Sequence, residues 1–323
     1  MTKNSLAKFS VVAAATAALP ALSWAATDKE VVSPKDGKAT KTVETPQESC
    51  ITGDLGVNEV TQYVSRGLIF ENQGAITQPY ADLYIRLYQG TGFIDKVTVN
   101  LGIWDSFHSR HTDAGAVTGT PGVSSSRFWY ESDITAGVSV TFLKNFTITP
   151  SYYTFLSPNE GFSQYQGLNL KLAYDDTDLL HDFALHPEVT VMWEIDGKAG
   201  TGGSRGVYYE VGIAPGHAIT KDLTFTLPVT AGFGSHNFYG RVDESGNTTT
   251  QDNFGYLSVG ANLSYALSFI PKCYGAWTVN AGATYYYLGN VLANFNSPEH
   301  GGDIRTDGRH NEFVFSGGIA VAF

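Results

Sequence analysis

Apolar and polar residues alternate along most of the chain, in segments of roughly a dozen residues separated by turn and loop signals. In the third of these segments, Val97, Val99 and Leu101 alternate with Thr98 and Asn100. A period of two is the pattern of a β-strand with one apolar face. The pattern predicts twelve strands, at residues 53–65, 77–88, 96–107, 127–142, 146–156, 164–174, 183–195, 206–215, 222–234, 254–267, 276–288 and 311–323. Ten and fourteen strands are the alternatives, because the first and fifth segments are weakly patterned.

The lengths of the segments and of their connections indicate a membrane barrel. The segments match a tilted strand that crosses a bilayer, whereas strands of soluble proteins are about half as long. Short and long connections alternate, as periplasmic turns and extracellular loops do in outer-membrane barrels. Aromatic residues recur at the ends of the apolar faces, where two interfacial girdles would lie. We therefore predict an all-β fold, a transmembrane antiparallel up-and-down β-barrel of about twelve strands; a soluble sandwich is the alternative.

The last segment ends the chain on an apolar aromatic residue, Phe323. Chain termini of soluble domains are normally polar and frayed. The segment resembles the closing strand of bacterial outer-membrane β-barrels, a family whose members typically end in Phe. The resemblance implies that Phe323 belongs to the signal read by the barrel-assembly machinery. Closure then requires pairing with the first strand, whose apolar face is interrupted by Glu59.

The N-terminal region predicts export. Residues 1–26 have a signal-peptide pattern, in which Lys3 and Lys8 precede an Ala-rich apolar run and Ala25 supplies a small residue for cleavage. Residues 27–52 carry no periodicity and are predicted to form a disordered periplasmic linker. The barrel is predicted to occupy residues 53–323, so that a Gram-negative outer membrane is the expected location.

Composition narrows the function classes. Charged residues make up 16% of the 323 residues, and glycine is abundant at 35, which suits strands and tight turns. The mean hydropathy of -0.11 excludes a helical membrane bundle but not a barrel, where the two faces cancel. A net charge of -11 argues against nucleic acid as a partner. The expected partners are outer-membrane lipid and small polar solutes, and no cofactor or metal is predicted.

If the apolar positions face lipid, the other positions line the lumen. Ionisable groups are costly on a lipid face but not in a wet lumen, which supports this assignment. Acidic residues outnumber basic ones on this face, so we predict a narrow, acidic, aromatic-lined pore for small polar solutes or cations. The alternative is a closed barrel, structural or adhesive, whose lumen is filled by its own side chains. The principal predicted lumen residues are Asp82, Arg86, Trp104, Trp129, Glu131, Asp133, Lys171, Glu188, Glu194 and Glu210.

The stretch T-Q-Y-V-S-R-G, from Thr61 to Gly67, followed by Q-G-A-I-T-Q-P-Y-A-D-L, from Gln73 to Leu83, resembles the N-terminal signature of porins of the TorF type. The resemblance covers about thirty residues at the first extracellular connection. It implies a porin-like role and no particular substrate. Arg66, expected at the mouth, would steer anions or serve only as a surface charge.

Two further hypotheses concern the loops. His108 is a candidate base and Ser124–Ser126 offer a candidate nucleophile, as in hydrolases of the barrel class. No acid that would orient the base is identified. His108, His111 and Asp113 are likewise a candidate metal site. A solvated loop without a metal is the simpler interpretation of the same residues. We therefore predict a protein without enzymatic activity.

Cys50 and Cys273 are the two cysteines, and both are predicted to lie at the periplasmic rim. The first strand lies two strand spacings, about 10 Å, from the turn that carries Cys273 once the barrel closes. Flexible residues before the first strand would cover this distance. We therefore predict a disulfide between Cys50 and Cys273 in the oxidising periplasm.

Overall fold

A computed structural model describes residues 9–12, 21–24, 49–110, 128–235, 237–243, 245–296 and 309–323. Within the predicted signal peptide it describes two short strands, which pair antiparallel through Phe9–Val12 and Ala21–Trp24. The rest of the predicted signal peptide, and the predicted linker up to residue 48, lie outside the described residues.

Strands dominate the described part of the chain. In chain order they are β1 (Phe9–Val12), β2 (Ala21–Trp24), β3 (Ile51–Val60), β4 (Tyr63–Ser65), β5 (Leu68–Glu71), β6 (Ile76–Gln89), β7 (Ile94–His108), β8 (Trp129–Phe142), β9 (Phe146–Leu156), β10 (Tyr165–Tyr174), β11 (Glu188–Asp196), β12 (Val207–Ile213), β13 (Gly216–Ala218), β14 (Leu223–Thr226), β15 (Val229–Ser235), β16 (Gly240–Val242), β17 (Thr248–Gln251), β18 (Phe254–Ala266), β19 (Ala276–Leu288) and β20 (Asn311–Ala322). The helices are α1 (Thr177–Leu180), α2 (Asn290–Phe295) and two 3-10 turns, His181–Phe183 and Lys272–Tyr274. Among the described residues, no helix is long and apolar enough to span a membrane.

Twelve antiparallel wall strands form a closed barrel, as predicted. The wall strands are β3, β6 to β12, β14 together with β15, β18, β19 and β20. Each wall strand pairs with the next along the chain, and β20 pairs with β3 to close the sheet. The ninth wall strand is made of β14 and β15, which both pair with β18 and are separated by Leu227 and Pro228. Short connections lie at one end of the barrel, the turn end, and long connections at the other, the loop end.

The seam between β20 and β3 closes the sheet. Seven residue pairs join the two strands, from Ser316 with Val60 to Ala322 with Asp54. Beyond them, Phe323 and Gly53 exchange both backbone hydrogen bonds, at 2.9 and 3.0 Å. A Cβ atom on Gly53 would lie 2.8 Å from the Phe323 ring, so glycine is required for the terminal ring to approach. The first strand, the least regular in sequence, therefore pairs fully on both sides.

The outer face of the barrel is apolar and exposed. Leu101, Ile103 and Ile134, for example, are each more than two-fifths exposed. Aromatic rings border this face at both ends. Near the turn end, Phe142 contacts Phe146 at a centroid distance of 5.6 Å; near the loop end, Phe107 contacts Phe128 at 5.0 Å. An apolar band bounded by aromatic rings is the surface that a bilayer covers.

Besides the interrupted ninth strand, two predicted strands differ from those observed by five residues at one end. The first ends at Val60 rather than at residue 65, because the chain turns inward there and residues 63–71 form a separate hairpin. The seventh begins at Glu188 rather than at residue 183. The Asp176 carboxylate accepts hydrogen bonds from the backbone N–H groups of Leu185 and His186, at 3.0 and 2.9 Å, and holds this segment in a turn.

We expect Leu101→Arg to destabilise the barrel by about 2–4 kcal/mol, because Leu101 faces outward at the middle of β7 and an arginine there would meet the centre of the bilayer. The measurement is reversible urea unfolding in phospholipid vesicles. Thr135→Arg is the matched control, because Thr135 faces the lumen beside Asp82. Equal losses for the two variants would contradict the assignment of the faces.

Candidate functional site

The lumen has two chemically different halves. In the half near the turn end, small and polar side chains line the wall: Asn100 donates to Ser139 at 2.6 Å, and Ser139 bonds Thr149 at 2.9 Å. Asp54 and Asp82 lie directly opposite each other on β3 and β6. Thr135 on this wall is exposed, whereas large rings such as those of Tyr63, Trp104 and Tyr208 are buried in the half near the loop end.

The filling element is a hairpin formed by β4 and β5, which we call the inward hairpin (residues 63–71). Its strands pair between Ser65 and Leu68, so Arg66 and Gly67 form a two-residue turn. Both have positive φ, 51° and 79°, as a turn that matches the twist of a hairpin requires. A Cβ atom on Gly67 would lie 2.6 Å from Leu292, so glycine is needed for φ and for packing.

Three hydrogen-bonded attachments hold the inward hairpin in the lumen. At its base, the Tyr63 hydroxyl donates to Glu131 at 2.8 Å. At its tip, the Tyr239 hydroxyl donates to the Arg66 carbonyl at 2.9 Å. Along β5, Asn296 accepts from the backbone of Ile69 at 3.0 Å and donates to that of Gly67 at 2.8 Å. The hairpin is therefore joined to the wall, to a long loop and to the end of α2.

Apolar packing surrounds these attachments. One cluster gathers Leu68 with rings from the wall and with α2, whose Val291 and Leu292 are buried. A second cluster places Tyr63 against Trp104, with ring centroids 5.3 Å apart. Burial, and then the charge of Glu131, raise the pKa of the Tyr63 hydroxyl well above its usual value, so this group remains a donor.

Arg66 occupies the centre of the filled half. Its guanidinium carbon lies 4.9 Å from the ring centroid of Phe155, 5.8 Å from that of Tyr208 and 5.9 Å from that of Tyr153. Its side chain donates to Ser65 Oγ at 3.2 Å. These rings belong to wall strands β9 and β12, so the hairpin tip reaches across the lumen to the far wall.

Most carboxylates of the filled half already have protein donors. Glu194 accepts hydrogen bonds from the backbone N–H groups of Ala199, Gly200 and Gly206 and thereby folds the loop between β11 and β12. Glu210 accepts from the hydroxyls of Tyr208 and Tyr256. These acids act first as structural anchors, which sequence patterning alone does not distinguish from pore charges.

Nine of the ten principal lumen residues predicted from the sequence lie on the inner face. Lys171 and Glu188 form an ion pair of 2.7 Å there, with both side chains mostly buried. Asp82 and Arg86 share the inner face of β6 by strand alternation. Glu131, Glu194 and Glu210 accept the hydrogen bonds described above. Trp104 and Asp133 occupy paired positions on β7 and β8.

The tenth residue, Trp129, was predicted wrongly: it lies on the outer face, 44% exposed, against Phe107 at 5.7 Å. The cause is a β-bulge, in which Ser106 pairs with Glu131 and Phe107 with Trp129, so that Tyr130 is the extra residue. Tyr130 points inward and stacks on His108 at 4.6 Å. A strict period of two therefore assigned Trp129 and Tyr130 to the wrong faces.

His108 has a different neighbour from the one expected. Its Nε2 lies 2.9 Å from Ser106 Oγ, and both side chains are buried. The predicted nucleophile at 124–126 and the metal-ligand candidates at 111 and 113 lie outside the described residues. Among the residues that the structure describes, no group of three His, Cys, Asp or Glu side chains is placed to hold a metal ion.

Cys50 and Cys273 are both exposed and unbonded, so the predicted disulfide is not formed in this structure. Cys50 lacks the flexibility that was expected before the first strand, because its carbonyl accepts a hydrogen bond of 2.8 Å from the Arg86 N–H. Cys50 is thus fixed to β6, on the side of β3 that faces away from the seam.

Comparison with known proteins supports the fold. No protein-family model and no curated protein sequence matches the chain. An outer-membrane channel from Pseudomonas putida F1 is similar in structure, with a TM-score of 0.50 at 12% identity over 89% of this chain and 100% of that one. The NanC porin has a TM-score of 0.42 at 12% identity, over 83% and 98% of the two chains. Outer-membrane phospholipase A from Escherichia coli has 0.38 at 11%, over 84% and 89%. The likeness to the Pseudomonas putida channel and the closed twelve-stranded sheet together show that the chain has the fold of an outer-membrane β-barrel.

We expect Tyr63→Phe to loosen the inward hairpin. The variant leaves the buried Glu131 carboxylate without its tyrosine donor, a loss of about 1–3 kcal/mol that undocking of the hairpin would relieve. Hydrogen exchange of the amides of residues 63–71 should become faster. Tyr285→Phe is the control, because its hydroxyl bonds Asn311 at an exposed site. Unchanged exchange in Tyr63→Phe would show that packing alone holds the hairpin.

Proposed function

We propose that this chain is an outer-membrane channel through which small polar solutes or cations diffuse passively, along a narrow, acidic and aromatic-lined lumen constricted by the inward hairpin. The proposal includes cleavage of residues 1–26 after export, periplasmic placement of residues 27–52 and recognition of Phe323 by the barrel-assembly machinery. The turn end would then face the periplasm and the loop end the exterior.

The observation that carries this proposal is the contrast between the two halves of the lumen. The half near the turn end holds Asp54 and Asp82 in facing register, which is expensive unless water or cations reach them. A barrel built only for closure would gain more from apolar or hydrogen-bonded filling at these positions. Facing carboxylates on a polar wall create a negative field that attracts cations.

The inward hairpin supplies the constriction. The TorF-type resemblance falls on this element, since residues 61–67 include β4 and the tip with Arg66. A loop folded into the lumen sets the narrowest cross-section without changing the wall. Hydrogen bonds and ring contacts fix the position of the hairpin, so the narrowest cross-section of the lumen has a defined size.

A closed barrel is the second candidate function. It is favoured by the aromatic and aliphatic cluster around Leu68, which is buried from Tyr153 on one wall to Tyr256 on the other. In that case the loop end would serve as a surface for structure or adhesion. The two candidates differ in one measurable property, because only a channel carries ionic current.

The decisive test is planar-bilayer conductance of the purified protein under a salt gradient. We expect stepwise currents with a reversal potential that indicates cation preference. Asp54→Asn combined with Asp82→Asn should lower the cation-to-anion permeability ratio by about fivefold or more, because each unit charge about 4 Å from a permeating ion in water contributes about 1 kcal/mol.

Asp196→Asn is the matched control, since Asp196 forms an exposed ion pair with Arg205 on a loop. This variant should leave the permeability ratio unchanged. Absence of current from correctly folded protein would favour the closed barrel. Current whose selectivity is indifferent to Asp54 and Asp82 would contradict the proposed role of the acidic wall.

A further inference from the structure

Two aspartates face each other on the polar wall of the lumen. Asp54 on β3 and Asp82 on β6 occupy paired positions, which places their Cβ atoms about 5 Å apart. Arg86 shares the inner face of β6 but lies four residues beyond Asp82, about 13 Å along the strand. Among the described residues, no basic side chain acts on either carboxylate, and the charge that acts on Asp82 is that of Asp54. Two like charges at this separation are unfavourable unless a cation joins them.

Asp54 has an oxygen atom that lacks a hydrogen-bond partner. The residue is 7% exposed, and its Oδ2 atom is buried with no partner in the part of the chain that the structure describes. The Tyr84 hydroxyl is a donor to the same carboxylate, so Asp54 is only partly satisfied. A buried charged acceptor left unpaired is costly, and a donor from outside the protein removes that cost. Together with the facing Asp82, the unpaired oxygen indicates a ligand that is positively charged and donates hydrogen bonds.

Asp82 is reached from the lumen because its neighbour on β7 has no side chain. Asp82 pairs with Gly102. A Cβ atom on Gly102 would collide with Asp82 Oδ1 and would lie 2.6 Å from Thr135 Oγ1, so the carboxylate extends over the glycine. Thr135 is exposed and Asp82 is half-buried. On the other side, a Cβ atom on Gly56 would lie 2.8 Å from the Tyr80 ring. The two glycines thus make room for a carboxylate and a ring that a larger residue would displace.

We propose that Asp54 and Asp82 bind the head group of a primary organic ammonium ion. Such a group carries a positive charge and three N–H donors, of which the facing carboxylates accept two and lumen water accepts the third. Tyr80 and Tyr84 flank Asp82 on the inner face of β6 and are half-buried, so their rings offer contact to the cation and to its alkyl part. A dehydrated calcium ion fits less well, because it requires about six or more oxygen ligands. No group of three His, Cys, Asp or Glu side chains is placed to hold a metal ion in the described ranges of the chain.

This inference rests on the proposed channel, for which it names a substrate class, but its test is independent of current. The measurement is calorimetric titration of the detergent-solubilised full-length protein at neutral pH with butylammonium, and separately with tetramethylammonium and with magnesium chloride. We expect butylammonium to bind saturably and about tenfold or more tightly than tetramethylammonium, which has the same charge but no N–H donor. Magnesium should bind more weakly than butylammonium, because few oxygen ligands surround the pair.

Matched variants keep the test specific. Asp82→Asn should weaken butylammonium binding by about tenfold or more, because it removes one of the two charged acceptors. Tyr80→Leu should weaken it about twofold to fivefold through loss of a ring face. Asp196→Asn and Tyr265→Leu should bind as the unmodified protein does, because Asp196 forms an exposed ion pair on a loop and Tyr265 lies on the outer face. Asp82→Asn relieves the repulsion between the aspartates and is expected to fold; retained heat-modifiable migration on gels verifies this.

The site is overturned if butylammonium does not bind saturably, if Asp82→Asn binds it as tightly as the unmodified protein, or if tetramethylammonium binds equally well. Tighter binding of magnesium than of butylammonium would overturn it in favour of an inorganic divalent cation. Failure of the channel is a separate result. Saturable, Asp82-dependent binding by a protein that carries no current would keep the site and reject the pore. Cation-selective current without butylammonium binding would keep the pore and reject the site.

Discussion

The structure depends on one constraint: inside a bilayer, every backbone N–H and C=O group must find a partner within the protein. A sheet meets this requirement only if it has no edge. All other features of the structure therefore depend on the pairing of β20 with β3, which removes both edges of the sheet. At the seam, the last residue, Phe323, exchanges two backbone hydrogen bonds with Gly53, and Gly53 lacks the side chain that would obstruct the terminal ring. The terminal aromatic residue completes the ladder and also adds to the apolar outer band.

Closure fixes which residues face lipid and which face the lumen, because side chains alternate along each strand. The outer set is apolar and the inner set carries the ionisable groups, as the wall residues Leu101 and Asp82 illustrate. The inward hairpin then divides the lumen into a polar half and a filled half. Charge that remains near water attracts ions, whereas several carboxylates of the filled half, such as Glu194, accept hydrogen bonds that anchor the surrounding loops.

The sequence was sufficient to predict the barrel, its strand number and most of the inner face, because periodicity is a local property of each strand. It failed where the period breaks. The bulge at Tyr130 exchanged the faces of two aromatic residues, and no residue there marks a bulge as a glycine would. The inward hairpin was also missed: Tyr63 continues the alternation of the first strand, so only its partners across the lumen reveal the turn at Thr61.

Those partners are distant in sequence, which affects the order of assembly. The attachments of the inward hairpin join residues separated by 68, 173 and 227 positions, through Glu131, Tyr239 and Asn296. Closing such loops in a free chain costs entropy that one hydrogen bond does not offset. Once the wall has formed, the same groups already lie near one another and docking closes only a short segment. The hairpin is therefore expected to dock after the barrel closes, so that the filled half of the lumen and the environment of Arg66 are the last parts to form.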